Sequence, residues 1–309
     1  MSQYQATEPL TEPDSDHPDI DPDAGEPIIR ARGLAKAFGR FQAVRGVDFE
    51  VRRGQILGVI GANGAGKTTL LNAVLGLTNY DGELEVFGRD PARERAQLMN
   101  DVCFIADVAT LPKWMTARQI FDYVEGVHPK FVRCVAEDFL SRTKVPLDKR
   151  IKKLSKGMTT QLHLSVVMAI DAKLLVLDEP TLGLDIVFRK QFYRSLLEEY
   201  FDDNRTIIVT THQVEEVEHI LTDVMFVRDG RIVMEAPTDA LEDRFAQLSV
   251  DRTRAEAVRA LGPIYETEGL GRVNFVFENP DRAQLQAHGD LHRMNLADIF
   301  VAKMEGEAA

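Results

Sequence analysis

The chain has 309 residues, 44% hydrophobic and 28% charged, with a formal net charge of −12, enough apolar content for one large core plus a small appendage and no sign of a strongly basic nucleic-acid surface. Cys103 and Cys134 are the only cysteines, too few for a disulfide framework, and no secretory leader is visible, so a reducing cytoplasm is expected. No apolar run approaches the roughly 20 residues a membrane helix requires, so any membrane role must come through a partner.

Residues 1–27 hold eight acids (Glu8, Glu12, Asp14, Asp16, Asp19, Asp21, Asp23 and Glu26), five prolines and no Lys or Arg. Such a composition buries too little apolar surface to order itself, so a disordered acidic tail is expected. Setting those eight charges aside leaves −4 of the −12, so the acidity belongs mostly to this segment. A solvated leader is the plain interpretation, and a regulatory tail is the alternative.

From Ile28 to Ile60 the chain reads as strands joined by a turn, ending in the apolar run Ile56–Ile60. That run feeds Gly61-Ala62-Asn63-Gly64-Ala65-Gly66-Lys67-Thr68-Thr69. The glycines let the backbone curl so that successive N–H groups point at phosphate oxygens, where a Cβ would obstruct the approach. Lys67 is placed to reach the β and γ phosphates, Thr68 offers a hydroxyl to Mg²⁺, and a helix read over Thr69–Leu75 and closing near Gly76 adds its dipole to the anion site. Asp81-Gly82 reads as a turn before a strand Glu83–Phe87. A strand Val102–Ala106 follows, then Thr116-Ala117-Arg118-Gln119 as a capping box and a mainly helical stretch Ala117–Arg142 with a break at His128-Pro129.

Leu174–Leu177 is a continuous apolar strand, as in a parallel sheet buried on both faces, and it ends in Asp178-Glu179. Two acids at a strand end are commonly just solvated. Coupled to a phosphate loop, Asp178 becomes a candidate for holding Mg²⁺ through water, and Glu179 a candidate general base for the attacking water. Strand Thr206–Val209 leads into Thr210-Thr211-His212; Asp223–Val227 and Arg231–Ala236 read as a hairpin about Asp229-Gly230. Beyond about Gln247 come a short strand Arg272–Phe277 and a final apolar helix Leu296–Met304.

Leu154-Ser155-Lys156-Gly157-Met158 precedes an apolar helical pattern and on its own is a serine at a helix start. Lying between the two phosphate pieces, it resembles the signature motif, usually LSGGQ, of the ATP-binding cassette (ABC) family. The resemblance runs from Ile28 to about Phe245. Thr181-Leu182-Gly183-Leu184-Asp185 looks like the family's D-loop, with Asp185 near a dimer seam, and His212 like its switch histidine on the γ phosphate. Phe38 stands where the family stacks an aromatic on adenine; an ordinary core phenylalanine is the competing interpretation. Two departures stand out: Asp107 occupies the Q-loop glutamine position, and Lys156 and Met158 replace the signature's first glycine and its glutamine. Asp107 can bind Mg²⁺ or water yet cannot donate a hydrogen bond when ionised.

What the resemblance implies is an α/β fold with a RecA-like core, an antiparallel β subdomain and a helical subdomain in an ATPase domain over 28–246, followed by a small C-terminal accessory region over 247–309. It implies ATP and Mg²⁺ as cofactors. Glu179, His212 and Lys67 would be catalytic; Thr68, Asp178 and Asp107 would serve the metal. Phe38, Gly61, Asn63, Gly64, Ala65, Gly66, Thr68 and Thr69 would hold nucleotide from one side, with Ser155 and Gly157 serving the other subunit's site. The expected partners are a second copy or a paired ATPase subunit and an integral membrane subunit, with no nucleic acid, at the inner face of the cell membrane. The membrane subunit would dock near the Asp107–Thr116 loop through Trp114, unless Trp114 simply packs on the helical subdomain. The closing helix resembles that of bacterial drug and cell-envelope exporter ATPases. The alternative is a soluble ABC ATPase acting on ribosomes, DNA or a regulatory partner.

Overall fold

The computed structural model describes residues 27–105, 111–269 and 271–306. The acidic leader up to Glu26 and the Q-loop position Asp107 lie outside the described residues.

Strands β1 (Pro27–Phe38), β2 (Phe41–Arg52), β3 (Ile56–Ile60), β4 (Asp81–Val86), β5 (Val102–Ile105), β6 (Leu174–Asp178), β7 (Thr206–Thr211), β8 (Asp223–Arg228) and β9 (Arg231–Pro237) build two sheets among the described residues. β2-β1-β4 is antiparallel throughout. The larger sheet has the order β5-β6-β7-β3-β8-β9, parallel except for the β8–β9 hairpin. β3, β6 and β7 are buried at every position, the pattern of strands covered on both faces.

Alternate residues serve two cores. Leu57, Val59, Leu174, Val176 and Ile208 face the antiparallel sheet and the helix Lys67–Val74. Ile56, Ile60, Leu175, Leu177, Ile207 and Val209 face the helical side, which includes Phe121, Phe139 and Leu162. The period-two alternation of each strand thus welds three layers into one body.

The turn expected at Asp81-Gly82 is instead the start of β4. Gly82 has φ +93°, and a Cβ there would stand 2.4 Å from the Gly33 carbonyl oxygen. The glycine is required by close approach to β1 at an irregularity in its pairing, which local turn chemistry does not distinguish from a reversal. The helix expected over Thr69–Leu75 begins two residues earlier, at Lys67, and ends at Val74. Its last turn is closed by Gly76 N–H donating to Ala73 O at 2.9 Å and Leu77 N–H to Asn72 O at 2.8 Å, a Schellman-type stop. The helical stretch divides into Ala117–Val127 and Arg133–Ser141, and the Thr116/Gln119 capping box forms.

Beyond β9, strand β10 (Phe245–Asp251), a short helix (Ala255–Arg259), β11 (Tyr265–Glu268), β12 (Arg272–Glu278), a second short helix (Arg282–Gln286) and β13 (Asp290–His292) form an antiparallel sheet of order β11-β12-β10-β13. This is a βαββαβ unit of ferredoxin-like topology, with its own core of Leu248, Val250, Val258, Val273, Phe275 and Leu285. β10 spans the expected boundary at residue 247. The final helix, Leu296–Glu305, joins the main core through Leu296, Ile299 and Ala302. There Phe300 packs edge-on against Phe226 of β8, ring centroids 5.2 Å apart, and Leu296 N–H donates to Glu218 at 3.3 Å.

Candidate nucleotide site

The parallel strands all deliver their carboxyl ends to one edge of the large sheet, the edge at which such sheets bind ligands. The phosphate loop leaves β3, Asp178 ends β6, and His212 follows β7. Because β7 lies between β3 and β6, residues more than a hundred positions apart meet there.

A cavity of about 280 Å³ opens at this edge, lined by Phe41, Ala43, Asn63–Thr69, Asp178 and Glu179. The loop's curl depends on Gly66, whose φ is +109° and whose Cβ would stand 2.4 Å from the Ala43 carbonyl oxygen. Gly66→Ala is therefore expected to strain the loop by about 1–3 kcal/mol and to weaken ATP binding more than it lowers Tm. Titration calorimetry beside a thermal melt checks this.

Lys67 is buried, and its Nζ donates to the carbonyls of Gly61 at 2.6 Å and Ala62 at 3.2 Å. Desolvation pushes its pKa below the ordinary value, against the pull of the Glu179 and Asp178 carboxylates. A buried ammonium lined up at a helix start beside open N–H groups fits a polyanion, whose charge would replace the missing solvation.

Asp178 is buried and gripped on both oxygens: the Thr68 hydroxyl lies 2.9 Å from Oδ2, and the Thr210 hydroxyl donates to Oδ1. One carboxylate and one hydroxyl at the mouth of a phosphate cradle match how Mg²⁺ is held, with phosphate and water completing its shell. No cluster of three or more acidic, histidine or cysteine ligands occurs among the described residues, so a self-sufficient protein cage for a metal is not formed by them.

Glu179 has φ +48°, an uncommon conformation for a non-glycine residue. Its N–H is held by the Thr210 carbonyl and hydroxyl, each at 3.2 Å. The turn carries its carboxylate out of the sheet to His212, whose Nδ1 lies 2.8 Å from Oε1. With the glutamate ionised, Nδ1–H donates and Nε2 is left for a ligand.

The structure thus gathers Asn63, Gly64, Ala65, Gly66, Lys67, Thr68, Thr69, Asp178 and Glu179 around one cavity, with Gly61 bonded to Lys67 and His212 bonded to Glu179. Ser155 and Gly157 lie outside that lining. Ser155 is the exposed N-cap of the helix Lys156–Met168, accepting from Met158 N–H at 3.2 Å. Asp185 likewise caps the helix Ile186–Ser195. Phe38 is 55% exposed, which removes the core interpretation, and its ring lies under the Lys36 ammonium at 5.1 Å. Trp114 is 67% exposed, so most of its ring is left uncovered by the helical subdomain.

Three residues escaped the sequence reading. Phe41, 60% exposed, pairs with Phe38 across the β1–β2 hairpin and is the aromatic that lines the cavity. Their positions on either side of Gly39-Arg40 could not rank them. Thr210 earned no role because its hydroxyl meets Asp178 only through β6–β7 pairing, where the two residues are direct partners. Arg189 joins the Leu184 carbonyl at 2.8 Å, Gln213 at 2.7 Å and the Glu216 carboxylate, tying the Asp185 loop to the segment after His212. No local pattern signals it.

The model of the ABC transporter family matches residues 44–182. The ABC transporter ATP-binding protein YtrB of Bacillus subtilis is 26% identical over 290 residues, covering 91% of this chain and 99% of its own length. The Nod factor export ATP-binding protein I of Burkholderia lata is 33% identical over 297 residues, covering 88% of this chain and 95% of its own. Among solved structures, a dimeric ATP-binding cassette in a post-hydrolysis state with ADP and Pi superposes with a TM-score of 0.59 at 19% identity, covering 68% of this chain and 98% of that one. A relative 33% identical over nearly its whole length and a phosphate cradle facing a carboxylate pair lead to one conclusion: this chain belongs to the ABC transporter family and is an ATPase, the ATP-binding subunit of an ABC transporter.

Proposed function

We propose that the chain drives export through a separately encoded integral membrane subunit, and that two copies close head to tail on two ATP molecules. The observation that carries this reading is the separation of the two anion sites. Lys67 and the loop N–H groups line the cavity, whereas the exposed Ser155 helix terminus lies outside its lining. A helix N-terminus with a free N–H tip attracts phosphate, and a second copy supplies one to the cavity of the first. The names of relatives such as the Nod factor export protein support export.

In this reading Lys67 and the loop N–H groups orient the triphosphate, and Phe41 or Phe38 covers the base. Thr68 and Asp178 would hold Mg²⁺, which when bound neutralises phosphate charge. Glu179 takes the proton of the attacking water while His212 Nε2 faces the γ phosphate. Exposed Trp114 offers the membrane subunit an anchor. No described helix is long and apolar enough to cross a membrane, so the chain would reach the inner face of the membrane through that subunit.

Ser155→Arg tests the pairing. In a Glu179→Gln background it is expected to abolish ATP-dependent dimerisation in sedimentation, while a fluorescent ATP analogue still binds the Lys67 cradle. Unchanged pairing would overturn the head-to-tail reading. For transport, the protein should fractionate with membranes only when coexpressed with a membrane protein encoded beside it; recovery with ribosomes or DNA would favour the soluble alternative.

A further inference from the structure

Around the Ser155 terminus the surface carries Lys113, Lys149, Arg150, Lys152 and Lys153 on the side that precedes it and Lys156 as the first residue of its helix, all exposed. Backbone bonds gather them: Ile151 N–H donates to Met115 O at 2.9 Å, Lys152 N–H donates to Lys113 O at 3.0 Å, and Thr116 bridges Arg150. Residues 148–150, 152 and 153 line a concavity of about 570 Å³. The acid among them, Asp148, is engaged by Arg118 at 2.9 Å. None of the six cations is ion-paired to a described residue, in contrast to Arg133, which meets three carboxylates.

We propose that the acidic leader of this chain, Glu8 to Glu26, docks on this ring of cations and competes there with the triphosphate that the Ser155 terminus would take. The charges are complementary: eight carboxylates and no Lys or Arg on the leader, six unpaired cations on the ring. Outside the leader the chain keeps a net charge of only −4, so this concentration of positive charge is not a reflection of general basicity. The tether reaches. Twenty-six residues span up to about 90 Å, well beyond the dimensions of a domain with a radius of gyration of about 19 Å. Tethering also presents the leader at an effective concentration on the order of millimolar, so weak, salt-sensitive contacts suffice to populate the docked form. An anionic membrane surface has the same charge but no tether to this site, and it is the rival outcome of the test.

The docking stands on charge and position alone; the competition rests on the Ser155 reading under Proposed function. The full-length protein is treated with a carbodiimide, which couples carboxylates directly to lysines, and the linked peptides are mapped. Cross-links are expected from the leader to Lys149, Lys152 and Lys153, and should vanish in Lys149→Glu/Lys152→Glu/Lys153→Glu. Replacing the eight leader acids by their amides should raise ATPase turnover about two-fold at low salt, as expected for a brake occupied about half the time, with no difference left once salt screens the contacts. Cross-links scattered over other lysines overturn the proposal. So does binding of phosphatidylserine vesicles by the ring that is as strong with the native leader as with the neutral one. Cross-links at the ring with unchanged turnover support the docking and overturn the competition, while the Ser155 reading stands or falls on the Ser155→Arg dimerisation test.

Discussion

Glu179→Gln is expected to lower ATP turnover by about 10²–10⁴-fold while leaving ATP binding intact and a stable nucleotide-bound dimer behind. Glu179 is carried out of the sheet by a left-handed turn at φ +48° and placed against His212 Nδ1 at 2.8 Å, on the rim of the phosphate cavity. An amide keeps the volume and can still meet His212, but it cannot accept a proton from water, so chemistry stops while recognition persists. Single-turnover kinetics and sedimentation with ATP check both halves. A variant that hydrolyses at the parental rate would remove Glu179 from the role of base. A protein that remains monomeric with ATP and this substitution, while the parent hydrolyses normally, would remove the sandwich.

Lys67→Ala is expected to have the opposite signature, a loss of binding as well as rate, with kcat/KM down by about 10²–10³-fold as for removal of a buried, charged phosphate donor. Lys67 also sets a pH dependence whose sign is determined. Burial depresses its pKa below 10.5 in the free site, and a bound triphosphate favours the charged ammonium and raises it again. Binding then takes up a proton at any pH between the two values, so ATP affinity falls as pH rises through that window. In Lys67→Ala the slope should disappear. A parent whose affinity is flat or rises across the same range would contradict this account, and measuring Kd and proton uptake in buffers of different ionisation enthalpy checks it.

The way these residues come together shows which information is local. Gly61–Thr69 could be recognised in the chain because the phosphate cradle is made from consecutive backbone N–H groups and needs glycines at fixed offsets. Leu174–Glu179 was legible because a strand buried on both faces writes a continuous apolar run, and the Ser155 and Thr116 helix starts because a cap bonds within three residues of itself. The start of the helix Lys67–Val74 was misjudged by two residues, since Gly66 at φ +109° begins the helix without a side-chain cap. Gly82 was mistaken for a turn residue because the atom that forbids a side chain there belongs to Gly33.

The amino-acid order by itself therefore determined the parts that act through neighbours in the chain: the phosphate cradle, the Asp178-Glu179 strand end, the helix caps and the acidic character of the leader. Only the tertiary structure decided the parts made by strands and loops that are distant in sequence. It selected Phe41 to line the cavity, locked Asp178 between Thr68 and Thr210, joined the Asp185 loop to Gln213 through Arg189, and folded the C-terminal region as a βαββαβ unit whose last helix returns to the main core. The reason is physical: a hydrogen bond or a packed ring depends on which strands lie side by side, and that order is set by burial over the whole sheet and written in no short stretch of the chain.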